Sequence, residues 1–233
     1  MKIAIILAAG EGERLQSLNP FKPMIKVGEK VLLEHTLTQL LPLKFEQIHI
    51  IFNDKERVMP LDQAPNVHSS KVQYFFKSTA SSLHSLYEVS KKLALKEQGH
   101  YFISMIDSIV SPHDLAAFAS FCRDLKENQS AILTTRFVED EKPLTVQTNL
   151  KGEVTAFQIP LQARNIVTSG VYCLDCQAMQ ELQNCVQSGV SKMRNFLTYL
   201  VEHGHIIKAF TVDKTLDIDR PQDIKSAEEF LGL

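Results

Sequence analysis

The chain has 233 residues, 44% of them hydrophobic and 22% charged, with a formal net charge of −2. That length and composition describe one sizeable soluble α/β domain or two small ones. The lack of a basic excess argues against a nucleic-acid partner. No apolar run is long enough to suggest a membrane span, and Met1-Lys2 leads straight into a strand rather than a secretory leader.

Residues 3–7 (IAIIL) read as a short buried strand, followed by a small-residue loop, Ala8-Ala9-Gly10-Glu11-Gly12. Arg14 follows at once, and Lys22 stands between Phe21 and Pro23. A glycine loop at a strand end exposes backbone N–H groups that can cradle a phosphate, and two cations just beyond could neutralise more of it. Leu15 occupies the third glycine place of a dinucleotide fingerprint, and the P-loop pattern is absent, so both standard phosphate loops fail. A plain connecting turn is the alternative, but it has no need of Arg14 and Lys22.

The pattern L-A-A-G-x-G-x-R-L, then Lys22-Pro23 and Val27-Gly28-Glu29-Lys30, resembles the nucleotidyltransferase family. These enzymes join a nucleoside monophosphate to a phosphorylated sugar or alcohol. The resemblance implies a Rossmann-like three-layer α/β/α fold with a mixed, mostly parallel central sheet and an antiparallel extension, the GT-A-like fold. It also implies nucleotide binding by Leu7, Ala8, Ala9, Gly10, Glu11 and Gly12.

A helical pattern with Leu33, Leu37, Leu40 and Leu41 on one face ends at Pro42. Strands are expected at 47–52 and 72–76, separated by a polar loop over 54–70. This order predicts a mostly parallel sheet with helices on both faces. Residues 77–82 open a helix from Ser82 to about Lys96, with Leu83, Leu86, Val89 and Leu93 as its buried stripe. The serines there are either an N-cap or nucleotide contacts. The family carries G-T-A-x-[SA]-L at this place, which implies nucleotide contacts from Ser78, Thr79 and Ala80, although the glycine is missing. Residues 82–87 look closer to the phosphocholine cytidylyltransferase branch than to the hexose branch.

Residues 100–106 are nearly all apolar and read as a central strand ending at Asp107, where parallel sheets bind ligands. Asp107 could equally cap a helix or turn. A helix over 112–126 and a strand over 131–137 follow. Residues 144–148 and 153–159 flank Asn149-Leu150-Lys151-Gly152, a hairpin signature. A strand over 166–174 contains Thr168-Ser169-Gly170-Val171-Tyr172, where Gly170 allows a close backbone approach or marks a bulge. A similar family element lines the acceptor pocket, which implies acceptor contacts from Ser169, Gly170 and Tyr172. The family's Glu-Lys-Pro after the hairpin is replaced by Gln158-Ile159-Pro160, and Arg164 is the nearest cation. Cys173 and Cys176 form a C-x-x-C without a second ligand pair, so ordinary thiols are expected. Four cysteines without a disulfide pattern suggest a reducing, cytoplasmic setting.

Helices are expected over 176–186 and 191–203, a strand over 206–212, and a last helix over 221–231 opened by Pro221. Just ahead of it, Leu216-Asp217-Ile218-Asp219 resembles the family's closing D-x-D. The resemblance implies Mg²⁺ bound by Asp107 and Asp219, with Asp217 as the other candidate. Asp219 as a helix cap is the plainer alternative. Within a single domain, residues 1–136 would bind nucleotide, 137–215 the acceptor, and 216–233 would supply the metal-ligand turn. The implied reaction takes an NTP and a small phosphorylated acceptor, a sugar phosphate or a phosphocholine-like molecule. Arg14, Lys22 and Asp107 would be its catalytic residues. Tyr87, Phe157 and Tyr172 are the aromatic residues available to a quaternary ammonium. A homodimer is left open. A nucleotide-binding sensor without transfer activity is the competing reading, and a dehydrogenase is disfavoured by Leu15.

Overall fold

A computed structural model describes residues 1–54, 69–93, 99–138, 142–160 and 166–233. Most of the predicted loop over 54–70, the end of the predicted helix near Lys96, and Arg164 lie outside the described residues. In chain order the elements are β1 (Ile3–Ala8), β2 (Lys26–Val27), β3 (Lys30–Val31), α1 (Leu32–Leu40), β4 (Gln47–Phe52), β5 (Val72–Phe76) and α2 (Ser82–Ser90). Next come β6 (His100–Met105), β7 (Ser108–Ile109), α3 (Pro112–Arg123), β8 (Gln129–Thr135), β9 (Thr145–Thr148) and β10 (Val154–Phe157). The chain closes with β11 (Ile166–Asp175), α4 (Cys176–Gln187), α5 (Met193–Glu202), β12 (Ile206–Val212), β13 (Leu216–Asp217) and α6 (Pro221–Leu231).

Strands β6, β1, β4 and β5 pair in parallel. The central strand β1 is apolar on both faces, as suits a parallel strand covered on both sides. Strand β11 lies antiparallel to β6 and to β8, and β12 runs parallel to β8. The first residues of β11 pair with β9, and β9 carries β10 in a hairpin. The sheet is therefore mixed, with a parallel half and an antiparallel extension. Leu33, Leu37, Phe118, Phe102 and Ala227 belong to the core on one face, and Leu86, Met179, Phe196 and Tyr172 to the core on the other. This is the expected three-layer α/β/α fold.

Local signals explain the helix starts. Pro112 opens α3, and the Ser111 side chain accepts the Asp114 N–H at 3.0 Å. At α4 the buried Asp175 carboxylate accepts the N–H groups of Gln177 and Ala178 at 2.8 and 3.1 Å. The Ser130 hydroxyl donates to its second oxygen at 2.6 Å. Cys173 and Cys176 are buried and not joined in a disulfide, and burial raises the Cys176 thiol, as suits an inert thiol.

Boundaries differ in small ways. The turn expected at 27–30 is the tip of the β2–β3 ribbon. Helix α2 ends at Ser90 and α3 at Arg123, and β8 runs over Gln129–Thr135 rather than 131–137. The pairing of β7 with β13 was not foreseen, because two-residue strands carry no periodicity.

Phe102 is fully buried on central strand β6, with its ring 5.4 Å from Phe45 and 5.8 Å from Phe118. Phe102→Ala is expected to lower folding stability by about 3–5 kcal/mol. A urea midpoint equal to that of the wild type would show that this ring does not anchor the core.

Candidate functional site

Because β1, β4, β5 and β6 are parallel, their carboxyl ends and the loops that follow share one edge of the sheet, the usual ligand edge of such folds. The loop after β1 leaves the strand at Ala8. Gly10 has no heavy atom within 4 Å of a notional Cβ, so its backbone is open to a ligand. Gly12 has φ +57°, and a Cβ there would come within 3.0 Å of Lys22 Cβ. The glycine thus serves both the left-handed turn and the passage of the lysine stem. A short 3₁₀ turn, Glu13–Leu15, then buries Leu15 completely. The residue that breaks the dinucleotide fingerprint is the apolar anchor of this loop.

Lys22 begins a second 3₁₀ turn, Lys22–Met24, and is only 6% exposed. Its ammonium donates to Asp107 Oδ2 at 2.5 Å and to Asp219 Oδ1 at 3.1 Å. Arg14 Nη2 lies 3.5 Å from Asp219 Oδ2, with its side chain 57% exposed. Burial alone would lower the Lys22 pKa, but the charges and hydrogen bonds of Asp107 and Asp219 outweigh it and hold it above the ordinary 10.5.

The two carboxylates meet through backbone pairing. Strands β7 and β13 match Ser108 with Asp217 and Ile109 with Leu216, and the Ile218 N–H donates to the Asp107 carbonyl at 3.0 Å. The Ser108 hydroxyl donates to Asp217 Oδ1 at 2.9 Å. Asp217 is open to the cleft yet ringed by protein; desolvation and the Asp107 carboxylate push it above the usual carboxylate range. Neither Asp107 nor Asp219 is spent as a helix cap. Ser111 caps α3, and at α6 the Asp223 carboxylate accepts the N–H groups of Asp219 and Arg220 at 2.9 and 2.7 Å.

Gly170, at φ +73°, lies at the register shift of β11. A Cβ there would collide with Ser108 Oγ and approach Met105 Cγ to 3.1 Å. The bulge and the close approach are therefore the same feature, and it makes room for the segment carrying Asp107. Tyr172 is buried, and its phenol is pushed up by burial and then by the Asp217 and Asp107 charges. Ser169 is turned inward, its hydroxyl donating to the Leu133 carbonyl at 3.1 Å.

The loop after β5 ends at the same edge of the sheet. The Ser78 hydroxyl donates to Asn53 Oδ1 at 2.8 Å, its N–H donates to Asp54 Oδ2 at 3.1 Å, and the Thr79 and Ser85 hydroxyls are 2.6 Å apart. Ser81, rather than Ser78 or Thr79, caps α2. Ala80 follows in the same loop.

A cavity of about 280 Å³ opens beside the charged cluster, lined in part by Arg14, Phe137, Thr168, Asp217, Asp219 and Arg220. Phe137 carries no signal in the sequence, whereas Thr168 stands at the head of the element likened to the acceptor-pocket strand, although the contacts are expected there from Ser169, Gly170 and Tyr172. The pairing of Leu216 and Ile218, both buried, with Asp217 and Asp219 between and after them was a readable period-two signal. Among the described residues no three His, Cys, Asp or Glu side chains converge to hold a metal by themselves. A hard cation that completes its shell with substrate oxygens needs only one or two carboxylates, so Asp107 and Asp219 fit Mg²⁺ in donor type and charge.

Residues 4–172 match the family model of the MobA-like NTP transferase domain. The bifunctional protein GlmU of Clostridium tetani is 23% identical over 213 residues, covering 85% of this chain. The match spans 44% of that relative's own length. The UTP–glucose-1-phosphate uridylyltransferase AglF of Haloferax volcanii is 25% identical over 98% of this chain and 96% of its own. The inositol-1-phosphate CTP transferase of T. maritima has a TM-score of 0.78 at 18% identity, covering 99% of this chain and 98% of its own. The CTP:phosphocholine cytidylyltransferase of Streptococcus pneumoniae has a TM-score of 0.75 at 20% identity, with 99% of each chain covered. These solved structures share the fold.

Two outcomes are expected from this geometry. Gly12→Ala should cost about 1–2 kcal/mol from the left-handed backbone alone, read as a lower thermal midpoint; an unchanged midpoint would contradict the strained backbone at this position. The second concerns pH. Because the folded-state pKa of Lys22 is raised, its stabilising contribution is fully present below 10.5 and is lost as pH rises through the folded value. The melting temperature should therefore fall more steeply in alkali for the wild type than for Lys22→Met, and parallel curves would refute the linkage.

Proposed function

The chain belongs to the MobA-like NTP transferase domain family, and on that premise we propose that it transfers a nucleoside monophosphate from an NTP to a small phosphorylated acceptor, releasing pyrophosphate. The observation that carries this reading is the buried Lys22 ammonium bonded to Asp107 and Asp219 beside an open glycine loop.

The N–H groups of residues 8–12 receive the nucleotide phosphates, with Leu7 shaping the floor. Arg14 pairs with the β- and γ-phosphates, and Lys22 stabilises charge building on the α-phosphate. Ser78, Thr79 and Ala80 contribute to the nucleotide side of the edge. Asp107 and Asp219 would hold Mg²⁺, which supplies charge neutralisation of the phosphates. An acceptor phosphate oxygen attacks the α-phosphorus in line and pyrophosphate leaves. The nucleophile is already ionised near neutral pH, so no general base is needed, and positioning with electrostatics does the rest.

The cavity beside Asp217 and Asp219 takes the acceptor, with Gly170 and Tyr172 behind it. Ser169 contributes through strand pairing rather than by its hydroxyl. Residues 1–136 thus serve the nucleotide, 137–215 the acceptor and 216–233 the metal. CTP is the favoured nucleotide and phosphocholine the favoured acceptor. The resemblance of residues 82–87 to the phosphocholine cytidylyltransferase branch supports this. None of the four cysteines is in a disulfide, in keeping with a cytoplasmic setting. No described helix is long and apolar enough to cross a membrane.

Pyrophosphate release is the test, with Mg²⁺ and the four NTPs against phosphocholine and a set of sugar 1-phosphates. CTP with phosphocholine should give the strongest signal. A signal with a sugar phosphate keeps the reaction and changes the acceptor. NTP binding without release from any pair would favour the sensor, the reading suggested by Ser78 in place of the family's glycine. Lys22→Ala should lower turnover by about 10²–10³-fold with a much smaller change in NTP affinity; equal turnover would remove Lys22 from the chemistry. Asp107→Asn should abolish Mg²⁺-dependent activity, and a fully active variant would place the metal elsewhere.

A further inference from the structure

Three of the four oxygens of Asp107 and Asp219 face a protein cation: Lys22 reaches one on each residue, and Arg14 the second oxygen of Asp219. Within the Asp107–Asp219 pair, two carboxylates against two cations leave no net formal charge to attract a free dication, with Asp217 standing beside the pair. Arg14 is exposed and can swing away, whereas Lys22 is packed beside Gly12 and has little contact with water. Moving its ammonium off the pair without a replacement anion would leave a charge in a poorly solvated place.

We infer that Lys22 is an internal counter-ion for the Asp107–Asp219 pair and gives it up only to a nucleotide phosphate, so that the pair becomes open to a divalent cation with the NTP and not before it. This rests on the proposed assignment of Asp107 and Asp219 as metal ligands. The same lysine that assists the α-phosphate would thereby link cation entry to nucleotide arrival. The physical basis is competition: one set of carboxylate oxygens cannot fully satisfy an ammonium and a dication at once, and like charges at contact distance repel strongly in a site of low dielectric.

Mn²⁺ serves as the probe, its binding to the full chain followed by electron paramagnetic resonance without nucleotide. Wild type should bind it weakly, and Lys22→Met and Lys22→Gln should bind it at least about tenfold more tightly. Adding Asp107→Asn to Lys22→Met should erase that gain. Equal affinity in wild type and both single variants would overturn the inference while leaving the metal ligands in place. No Mn²⁺ bound by any variant, with or without NTP, would overturn the ligand assignment underneath it. Should the variants fail to fold, the Lys22 Nζ nitrogen signal of the wild type gives the second readout. It should shift when CTP is added in chelator and stay in place with millimolar Mg²⁺ alone. A shift with Mg²⁺ alone would overturn the inference.

Discussion

The ammonium of Lys22, held between the carboxylates of Asp107 and Asp219, is the constraint around which the ligand edge is arranged. A nearly buried charge is tolerated only when oxygens of opposite charge surround it. Those oxygens come from the end of the central strand and from the turn before the last helix, so the chain must close on itself for the lysine to stay charged. The two-residue pairing of β7 with β13 performs that closure, and Asp223 fixes the Asp219 backbone so that its carboxylate is left for Lys22. Ion pairs of this kind are weak evidence for stability; their value here is geometric, because they aim three charged groups at one point.

Two glycines make the geometry achievable. At Gly12 the backbone turns left-handed against the lysine stem, and at Gly170 it does so against Ser108 and Met105. Both lie where a side chain would separate elements that need to touch: the glycine loop from Lys22, and strand β11 from the segment bearing Asp107. Leu15 works in the opposite sense, pinning the loop into the core so that Gly10 and Arg14 face outward.

Strand β11 joins the two halves of the sheet. Its later residues pair with β6, the strand that ends at the acidic cluster, and its first residues pair with β9 of the hairpin. The register shift between them redirects the strand, and the cavity lined by Thr168 opens at that bend. A parallel half that presents strand ends and loops is thereby coupled to an antiparallel half that walls off a pocket.

The sequence by itself determined what local chemistry dictates. The runs at 3–7, 47–52 and 100–106 read as buried strands, the serine and proline at 111–112 start a helix, and the glycine loop followed by Arg14 and Lys22 reads as a candidate anion site. It also held a period-two alternation at 216–219 that sets two aspartates apart from two buried residues. What it left open was direction and partnership. Asp107 and Asp219 each had a capping alternative; Ser111 was already legible as the α3 cap, but only the tertiary structure decided that Asp223 takes the N–H groups of Asp219 and Arg220. Ser169 reads like an acceptor contact until strand pairing turns its hydroxyl onto Leu133. The ladder between residues 108–109 and 216–217 is too short to have a pattern of its own. Convergence of this sort depends on which distant segments the sheet brings together, a property of three-dimensional packing that neighbouring residues along the chain do not encode.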